Sequence, residues 1–293
     1  MKLRHLFLLT GLLIHTHSFS QVYVFVVCGN RGVNSIKSHG EWKLLKTQST
    51  IDQFDQIKTS GENCYLGLLH TSGRSVVIRK PGTYNAEDLL KKVNSGNNAI
   101  ASKYADFVYS KLTTVSNENV SDKTRAADEK TIKVYLPQSG KIFGTEETIQ
   151  WSALPGNNSY RVVIKNIFDE VVAEYTSDKP WIRIDFSNPR LRELNVVFLS
   201  VELQNNPLVH SEGHGITRLA DEKLKNVSDS LNLIRMDIGE ESPLNNLIIA
   251  SFFEDKQLLM DAGTCYSNVI ENSPGVTDFE KIYSEFLNRN GLK

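Results

Sequence analysis

The chain has 293 residues, with 33 basic and 34 acidic side chains and a net charge of −1. This balance argues against a nucleic-acid-binding protein, because affinity for phosphates needs a basic face. It also leaves no polybasic patch for anionic lipid. Beyond a short N-terminal leader, about 270 residues remain, which is enough for two or three domains.

The first 20 residues have the pattern of a secretory signal peptide. Lys2 and Arg4 precede an apolar run at residues 6–14, which is too short for a bilayer because a span needs about 20 apolar residues. Ser18 and Ser20 are small residues at the two positions that a signal peptidase reads, so we expect cleavage after Ser20. Without Lys2 and Arg4 the balance is 31 basic against 34 acidic residues, a net charge of −3. We therefore expect export to the periplasm or the outer-membrane surface, with no transmembrane segment after cleavage.

The three cysteines are too few for a disulfide framework in an exported protein. Lipidation at Cys28 is a weak alternative to a soluble start, since the β-branched Val27 precedes it where a small residue is normally needed. A bond between Cys28 and Cys64 stays open, with buried thiols as the favoured interpretation. The chain lacks a CxxC motif, so neither a zinc site nor any other cofactor is predicted.

Residues 21–92 alternate with a period of two and predict a small β domain. The predicted strands lie at residues 23–27, 42–45, 64–69 and 75–78, and we expect the first to end in a turn at Gly29 and Asn30. Short strands without a long helix favour a small barrel or sandwich.

Several motifs in this domain resemble, in their order, the FecR-like periplasmic domain of iron-dicitrate sensors, which is similar to an SH3-like β fold. The motifs are Gly32-Val33, then residues 42–45 (WKLL), 55–59 (DQIKT), 65–68 (YLGL) and 72–78 (SGRSVVI). Those sensors also have a transmembrane helix and a cytoplasmic tail that binds a sigma factor, and we expect neither here. The resemblance therefore implies the fold and not the signalling role.

Residues 93–130 are predicted to connect two domains. A short helix at residues 86–93 follows Asn85, a candidate N-cap, and a second helix is expected at residues 99–112. Ile100, Tyr104, Phe107 and Val108 form an apolar stripe on the second helix, which we expect to pack on the first domain. Residues 113–130 are polar and predict a flexible linker, which a protease would cut first at Lys123, Arg125 or Lys130.

Residues 131–219 predict an immunoglobulin-like β-sandwich of about seven short strands. The strands are expected at residues 132–136, 148–151, 160–164, 171–175, 181–186, 196–203 and 209–216. The stretch resembles a fibronectin type III domain, with Pro137 after the first strand, Trp151 closing the second, and Tyr160 opening the third. Trp151 and Tyr160 are predicted core residues, because large aromatic side chains dominate sandwich cores.

Two groups of residues are weak candidates for chemistry. His210, Glu212 and His214 share a face if they lie on a strand, but a metal needs three or four converging ligands. We therefore predict a solvated strand face or turn there. Cys64 and His70 share a strand face but lie about 20 Å apart along it, so no catalytic pair, and no catalytic, metal or cofactor residue, is predicted.

Residues 220–293 switch to a helical period, with an apolar stripe at Leu224, Val227, Leu231 and Ile234. Ser242 is a predicted N-cap with proline at the first helical position.

Residues 243–276 resemble one tetratricopeptide repeat of 34 residues, although Asn246 stands where an aromatic residue is usual. The matching residues are Ile249, Ala250 and Phe253 in the first helix, Ala262, Tyr266 and Val269 in the second, and Pro274 at its end. A single repeat cannot bury its apolar face alone. The face therefore packs within the chain or forms a partner groove, whose candidate residues are Ile249, Phe253, Ala262 and Tyr266.

The order of parts resembles that of exported proteins of the Bacteroidetes type. We expect a non-enzymatic binding or scaffold protein of the bacterial envelope, with another envelope protein as its partner. The alternatives are an extracytoplasmic sensor component that acts with a membrane regulator, and a cryptic hydrolase. The hydrolase is disfavoured because the sequence has no GxSxG, HExxH or P-loop motif, and because only four histidines, His39, His70, His210 and His214, remain beyond the leader.

Overall fold

The structure is a computed structural model that describes residues 23–93, 99–115, 131–156, 158–239 and 241–293. In these ranges the protein is mainly β, with several sheets and a C-terminal helical region. The predicted signal peptide lies outside the described residues, and so does most of the predicted linker, including its three protease sites. None of the described helices is long and apolar enough to span a membrane.

The N-terminal β unit is a six-stranded antiparallel sheet with the order β2-β1-β4-β5, in which β3 pairs with β1 and β6 with β4. Its strands are β1 (Phe25–Ser38), β2 (Glu41–Leu44), β3 (Thr50–Ile51), β4 (Gln56–His70), β5 (Ser75–Ile78) and β6 (Gly82–Asn85). Helix α1 (Ala86–Val93) has the predicted bounds. It closes a core that includes Phe25, Val27, Ile57, Leu66, Leu68 and Leu89.

The predicted turn at Gly29 and Asn30 is wrong, because β1 continues through it to Ser38. The pairing of β1 with β4 shifts register between Val27 and Gly29 and again between Arg31 and Val33. These shifts are β-bulges, which bend a strand without ending it. Gly32 has a φ of 92° at the second bulge, a conformation that glycine adopts readily.

The second β unit contains two sheets with a common hydrophobic core. The larger sheet has the order β10-β9-β12-β14-β7, with β13 paired to β12, and the smaller one pairs β11 with β8. The strands are β7 (Ser139–Ile142), β8 (Glu146–Gln150), β9 (Tyr160–Lys165), β10 (Val171–Ser177), β11 (Trp181–Asp185), β12 (Val196–Leu203), β13 (Asn206–His210) and β14 (His214–Arg218), and helix α3 (Pro189–Arg192) precedes β12. Trp151 and Tyr160 are buried core residues, as predicted, with ring centroids 5.3 Å apart.

Two strand predictions in this unit are wrong. Residues 132–136 do not form a strand; they contribute a single bridge between Val134 and Trp151, and the edge position is taken by β7, which pairs in parallel with β14. The predicted strand at residues 209–216 is split into β13 and β14. Both halves pair antiparallel with the same strand, β12, and run in the same direction along it, so residues 211–213 interrupt the pairing without reversing the chain.

The helical core consists of α2 (Ala99–Val115), α4 (Asp221–Ile238), α5 (Pro243–Asp255), α6 (Leu259–Glu271) and α7 (Thr277–Arg289). Ser242 caps α5 as predicted, since its side chain accepts a hydrogen bond from the Asn245 N–H and Pro243 follows it. Helix α5 is apolar on nearly all sides and lies at the centre of the helical core. On α4, Val227, Leu231 and Ile234 are buried, whereas Leu224 of the predicted stripe is exposed.

Helix α2 does not pack chiefly on the N-terminal β unit, as predicted, but on the C-terminal helices. Tyr104 meets Phe252 edge to face, with centroids 5.6 Å apart, and its hydroxyl donates to Asp255 at 3.0 Å. Val108 and Leu112 join the same hydrophobic core. The reason is that α5 offers α2 a broad apolar surface, which the sequence of α2 alone does not reveal.

Replacing Ala262 by leucine is expected to destabilise the full chain by about 1–3 kcal/mol, because overpacking a filled core forces neighbours to shift. Ala262 is fully buried on α6. The measurement is thermal unfolding of the chain from Gln21 onward. Lys281→Leu on the exposed side of α7 is the control, and equal melting temperatures for Ala262→Leu and wild type would contradict close packing at Ala262.

Candidate functional site

The four residues predicted to line a partner groove lie inside the protein. Ile249, Phe253, Ala262 and Tyr266 are between 0% and 8% exposed and belong to the helical core. Tyr266 packs on Phe286 of α7, with ring centroids 4.8 Å apart. The groove is therefore closed by the chain itself, because α7 and α2 cover the apolar faces of the α5–α6 hairpin.

A cavity of 740 Å³ lies beside the break between β13 and β14 and is lined by His210, Glu212 and His214. Further lining residues come from the segment before β7 and from the C-terminus, among them Lys133, Gln138, Asn290 and Leu292. The structure thus places His210 and His214, the two histidines of the candidate metal cluster, in the lining of one cavity. Among the described residues, no group of three or more His, Cys, Asp and Glu side chains is arranged to hold a metal ion.

Backbone carbonyls determine the tautomer of both histidines. The Nδ1 atom of His210 lies 2.9 Å from the Ser211 carbonyl oxygen, and that of His214 lies 3.1 Å from the Pro137 carbonyl oxygen. Since a carbonyl oxygen can only accept, Nδ1 is the donor in each contact. Ser211 is no free nucleophile beside these rings, because its hydroxyl accepts from the Val201 N–H and donates to the Glu212 carbonyl.

The other candidate nucleophiles are equally constrained. His70 Nδ1 accepts from the backbone N–H of Ser72 at 3.1 Å and lies 2.7 Å from its hydroxyl, which is a local contact within one turn. Burial raises the pKa values of the Cys28 and Cys265 thiols, and a protonated thiol is a poor nucleophile. All three cysteines are free, so Cys28 and Cys64 are not joined in this structure.

A pair of buried carboxyl groups connects the second β unit to the helical core. Glu147 of β8 accepts from the Thr264 hydroxyl at 2.6 Å, and Asp261 of α6 accepts from the N–H groups of Phe143 and Gly144. Burial raises the pKa of Glu147 well above 4.5, and the charge of Asp261 raises it further. Burial raises the pKa of Asp261 as well, although its backbone donors oppose that shift. A hydrogen bond between the two carboxyls also raises the pKa of Glu147 and lowers that of Asp261, so it favours the proton on Glu147.

We expect Glu147→Gln to stabilise the protein at neutral pH and to weaken the pH dependence of its stability. A raised pKa means that the folded state binds the proton more tightly than the unfolded state, so the stabilisation is complete below pH 4.5 and is lost as the pH rises through the folded pKa. The slope for one proton is up to about 1.4 kcal/mol per pH unit. Glutamine keeps a donor toward Asp261 and an acceptor for Thr264 without the charge.

The check is urea unfolding of both proteins across a pH series, with Glu193→Gln, on the surface, as the control. An unchanged slope in Glu147→Gln would show that this carboxyl is not the titrating group.

An exposed apolar hairpin tip, which the sequence did not predict, lies between β9 and β10. Ile167 and Phe168 are 63% and 76% exposed there. Asn166 Oδ1 accepts from the N–H groups of Phe168 and Glu170 at 2.9 and 3.0 Å, and Lys165 pairs with Asp169 at 2.8 Å. The only sequence signal is a pair of large apolar residues directly after a turn-forming asparagine.

No family model matches this chain, and no curated protein matches it. Among solved structures, a chain described as "Cell surface anchoring domain" is similar to it with a TM-score of 0.24 and 20% sequence identity. The match covers 26% of this chain and 99% of that chain. At so low a TM-score the likeness carries no argument about function, which has to rest on the residues described above.

Proposed function

We propose that this is an exported, non-enzymatic binding or scaffold protein of the bacterial envelope. The leader pattern supports export. Among the described residues, backbone groups engage the Ser211 hydroxyl, and the contact of His70 with Ser72 lies within a single turn; both observations support a role without catalysis.

The finer assignments belong to the same proposal. The six-stranded N-terminal sheet with its bulges is compatible with an SH3-like, FecR-like domain. Two sheets around a core that contains Trp151 are compatible with an immunoglobulin-like, fibronectin type III-like sandwich. The hairpin of α5 and α6 is compatible with one tetratricopeptide-like unit, which is covered here by α7.

The observation that carries the proposal is the hairpin tip. Large apolar side chains cost free energy when they face water, and Ile167 and Phe168 are held there by a hydrogen-bonded turn. A preformed turn loses little conformational entropy on binding. Buried aromatic anchors contribute much of the affinity of protein interfaces. The tip therefore fits an apolar pocket on another envelope protein.

The charges around the tip favour a protein pocket over an anionic membrane. Asp169 and Glu170 directly follow the two apolar residues, whereas Lys165, the cation at the turn, is paired with Asp169. Acidic side chains are repelled by anionic lipid. A pocket with a basic rim would complement them.

We expect the double variant Ile167→Asp, Phe168→Asp to lose its envelope partner, with at least about a tenfold loss of captured protein. The experiment is a cross-linked pull-down of the tagged chain from its own envelope fraction. Leu208→Asp is the matched control, because Leu208 is 88% exposed on the same sheet but lies away from the tip.

The readout also separates the alternatives. A partner that is a membrane-spanning regulator would favour the sensor over the scaffold. Capture that is equal in the tip variant, the control and the wild type would remove the hairpin tip as the binding feature, and retention of the protein in the cytoplasm would contradict export.

A further inference from the structure

The solvent-facing side of the N-terminal sheet, called here the outer face, carries two rows of side chains across four strands. Cross-strand pairing places residues of β2, β1, β4 and β6 side by side in each row. The first row is Trp42, Lys37, Gln56 and Asn85, and the second is Leu44, Ser35, Lys58 and Thr83. Directly paired residues of adjacent strands point to the same side of a sheet, so all eight share one face.

Burial confirms which side faces water. Ile36 and Ile57 alternate with the outer-face positions and are buried in the core. Trp42, by contrast, is 45% exposed, and Leu44 and Val33 are exposed beside it. The sheet thus presents an aromatic and aliphatic edge next to a polar centre.

The charged side chains in the two rows of the outer face are all basic. Lys37 and Lys58 stand near its centre, and none of the eight positions carries a carboxylate. The remaining polar groups are two hydroxyls and two amides, of which Gln56 donates to Asn85 at 3.2 Å and Asn85 donates to the Asp88 carboxylate at 3.2 Å. The acidic Glu41 lies on β2 outside both rows and pairs with Lys43 at 4.0 Å.

A concavity of 410 Å³ continues the first row beyond the strands. It is lined by Lys37, Gln56 and Asn85, and by His39 and the 82% exposed ring of Phe54.

Two acids also line this concavity, but each has partners of its own. Glu87 pairs with Lys91 at 3.3 Å, and the buried Asp55 accepts from the Asp52 N–H at 2.8 Å. The lysines of the outer face are therefore not neutralised by ion pairs to these two carboxylates among the described contacts.

We propose that the outer face binds an acidic polysaccharide, a polymer of hexuronate sugars. Its carboxylates would pair with Lys37 and Lys58, its hydroxyls would bond to the amides and hydroxyls of the two rows, and the apolar face of a sugar ring would lie on Trp42. This ligand matches the charge of the outer face and places aromatic surface against an apolar ring face. A nucleic acid fits less well, because the eight positions hold two lysines and one aromatic ring, too few to follow a phosphate backbone and stack successive bases.

This inference goes beyond the proposed function, because it concerns a different surface and a different class of ligand. It predicts that the hairpin-tip variant binds polysaccharide as well as wild type does. The two proposals can therefore fail independently of each other.

The test is calorimetric titration of the chain from Gln21 onward with polygalacturonate oligomers, with neutral dextran and a single-stranded DNA oligonucleotide as competing probes. We expect polygalacturonate to bind, and Trp42→Ala to weaken it about tenfold or more. Lys58→Gln should weaken it about threefold, whereas Lys43→Gln, a lysine of the same sheet outside both rows, should leave it unchanged. Binding should also weaken from about 0.1 M to about 1 M salt, as the screening length falls from about 10 to about 3 Å.

Several results would overturn the inference. They are no detectable binding of polygalacturonate, equal binding of dextran, tighter binding of the DNA, or equal losses in Lys43→Gln and Lys58→Gln. Melting temperatures of the variants are measured alongside, and a folded Trp42→Ala with wild-type affinity would overturn it as well.

Discussion

Replacing Arg289 by alanine is expected to lower the free energy of unfolding by about 3–5 kcal/mol, because it leaves a buried carboxylate without its partner. Arg289 of α7 donates two hydrogen bonds of 2.6 Å to Glu254 of α5, a bidentate pair. The Glu254 side chain is 10% exposed and also accepts from Asn290 at 3.1 Å. Without the guanidinium, those remaining contacts do not balance the cost of burying the charge.

The matched control for this change is Arg192→Ala. Arg192 also pairs with a glutamate, Glu193, at 2.9 Å, but both side chains are more than 60% exposed. An exposed ion pair contributes about 0–1 kcal/mol. Urea unfolding of the two variants and the wild type gives the comparison, and similar losses in both would mean that burial of the Glu254 pair does not determine its contribution.

Replacing Phe279 by alanine is expected to cost about 3–5 kcal/mol as well, since it removes a large buried ring. Phe279 of α7 meets Tyr65 of β4 edge to face, with centroids 5.9 Å apart. A Cβ added at Gly29 would lie 2.7 Å from its ring, so the bulge of β1 leaves room for this side chain. The ring is thus one of the apolar contacts between the helical core and the N-terminal β unit, and its loss should loosen that junction first.

Phe168→Ala removes the same number of atoms from an exposed site and should change stability by less than about 0.5 kcal/mol. Native-state hydrogen exchange of both variants resolves where the effect falls. Faster exchange in β1 and β4 of Phe279→Ala is expected, whereas uniform acceleration across the whole chain would show that this junction is not a separate weak point.

Local sequence patterns predict the regular elements of this protein well where the partner of an element does not matter. Strand β12 has the predicted bounds, and α5 begins at the predicted proline after its serine cap. Such signals arise within one turn or one strand, so a short window contains all the information. The core positions of Trp151 and Tyr160 follow from their size alone, because large aromatic surface is costly to leave in water.

Predictions that depend on contacts between distant parts of the chain failed for a different reason. The bulges of β1 depend on its pairing with β4, and the break between β13 and β14 depends on how both pair with β12. Helix α2 presents Tyr104 to Phe252 of α5 and packs chiefly on the C-terminal helices. In each case, surfaces that lie far apart in the chain compete to pack on the same element. Sequence periodicity does not show which of them packs there.

The same distinction between local pattern and long-range packing applies to the candidate sites. Local sequence suffices to predict the leader pattern, the switch from strands to helices near residue 220, and the lack of a recognisable catalytic motif. It does not predict that Ile249, Phe253, Ala262 and Tyr266 are covered, because α2 and α7 bury the face that a lone hairpin would expose.

The hairpin tip and the outer face likewise depend on the fold. Ile167 and Phe168 remain exposed because they lie beyond the last pairs of β9 and β10, and Trp42 joins Lys37, Gln56 and Asn85 only through the register of four strands. A one-residue slip in any strand would turn its side chains into the core. Composition and local pattern therefore determine what this chain can bury, while cross-strand register and helix packing decide which residues are left to bind.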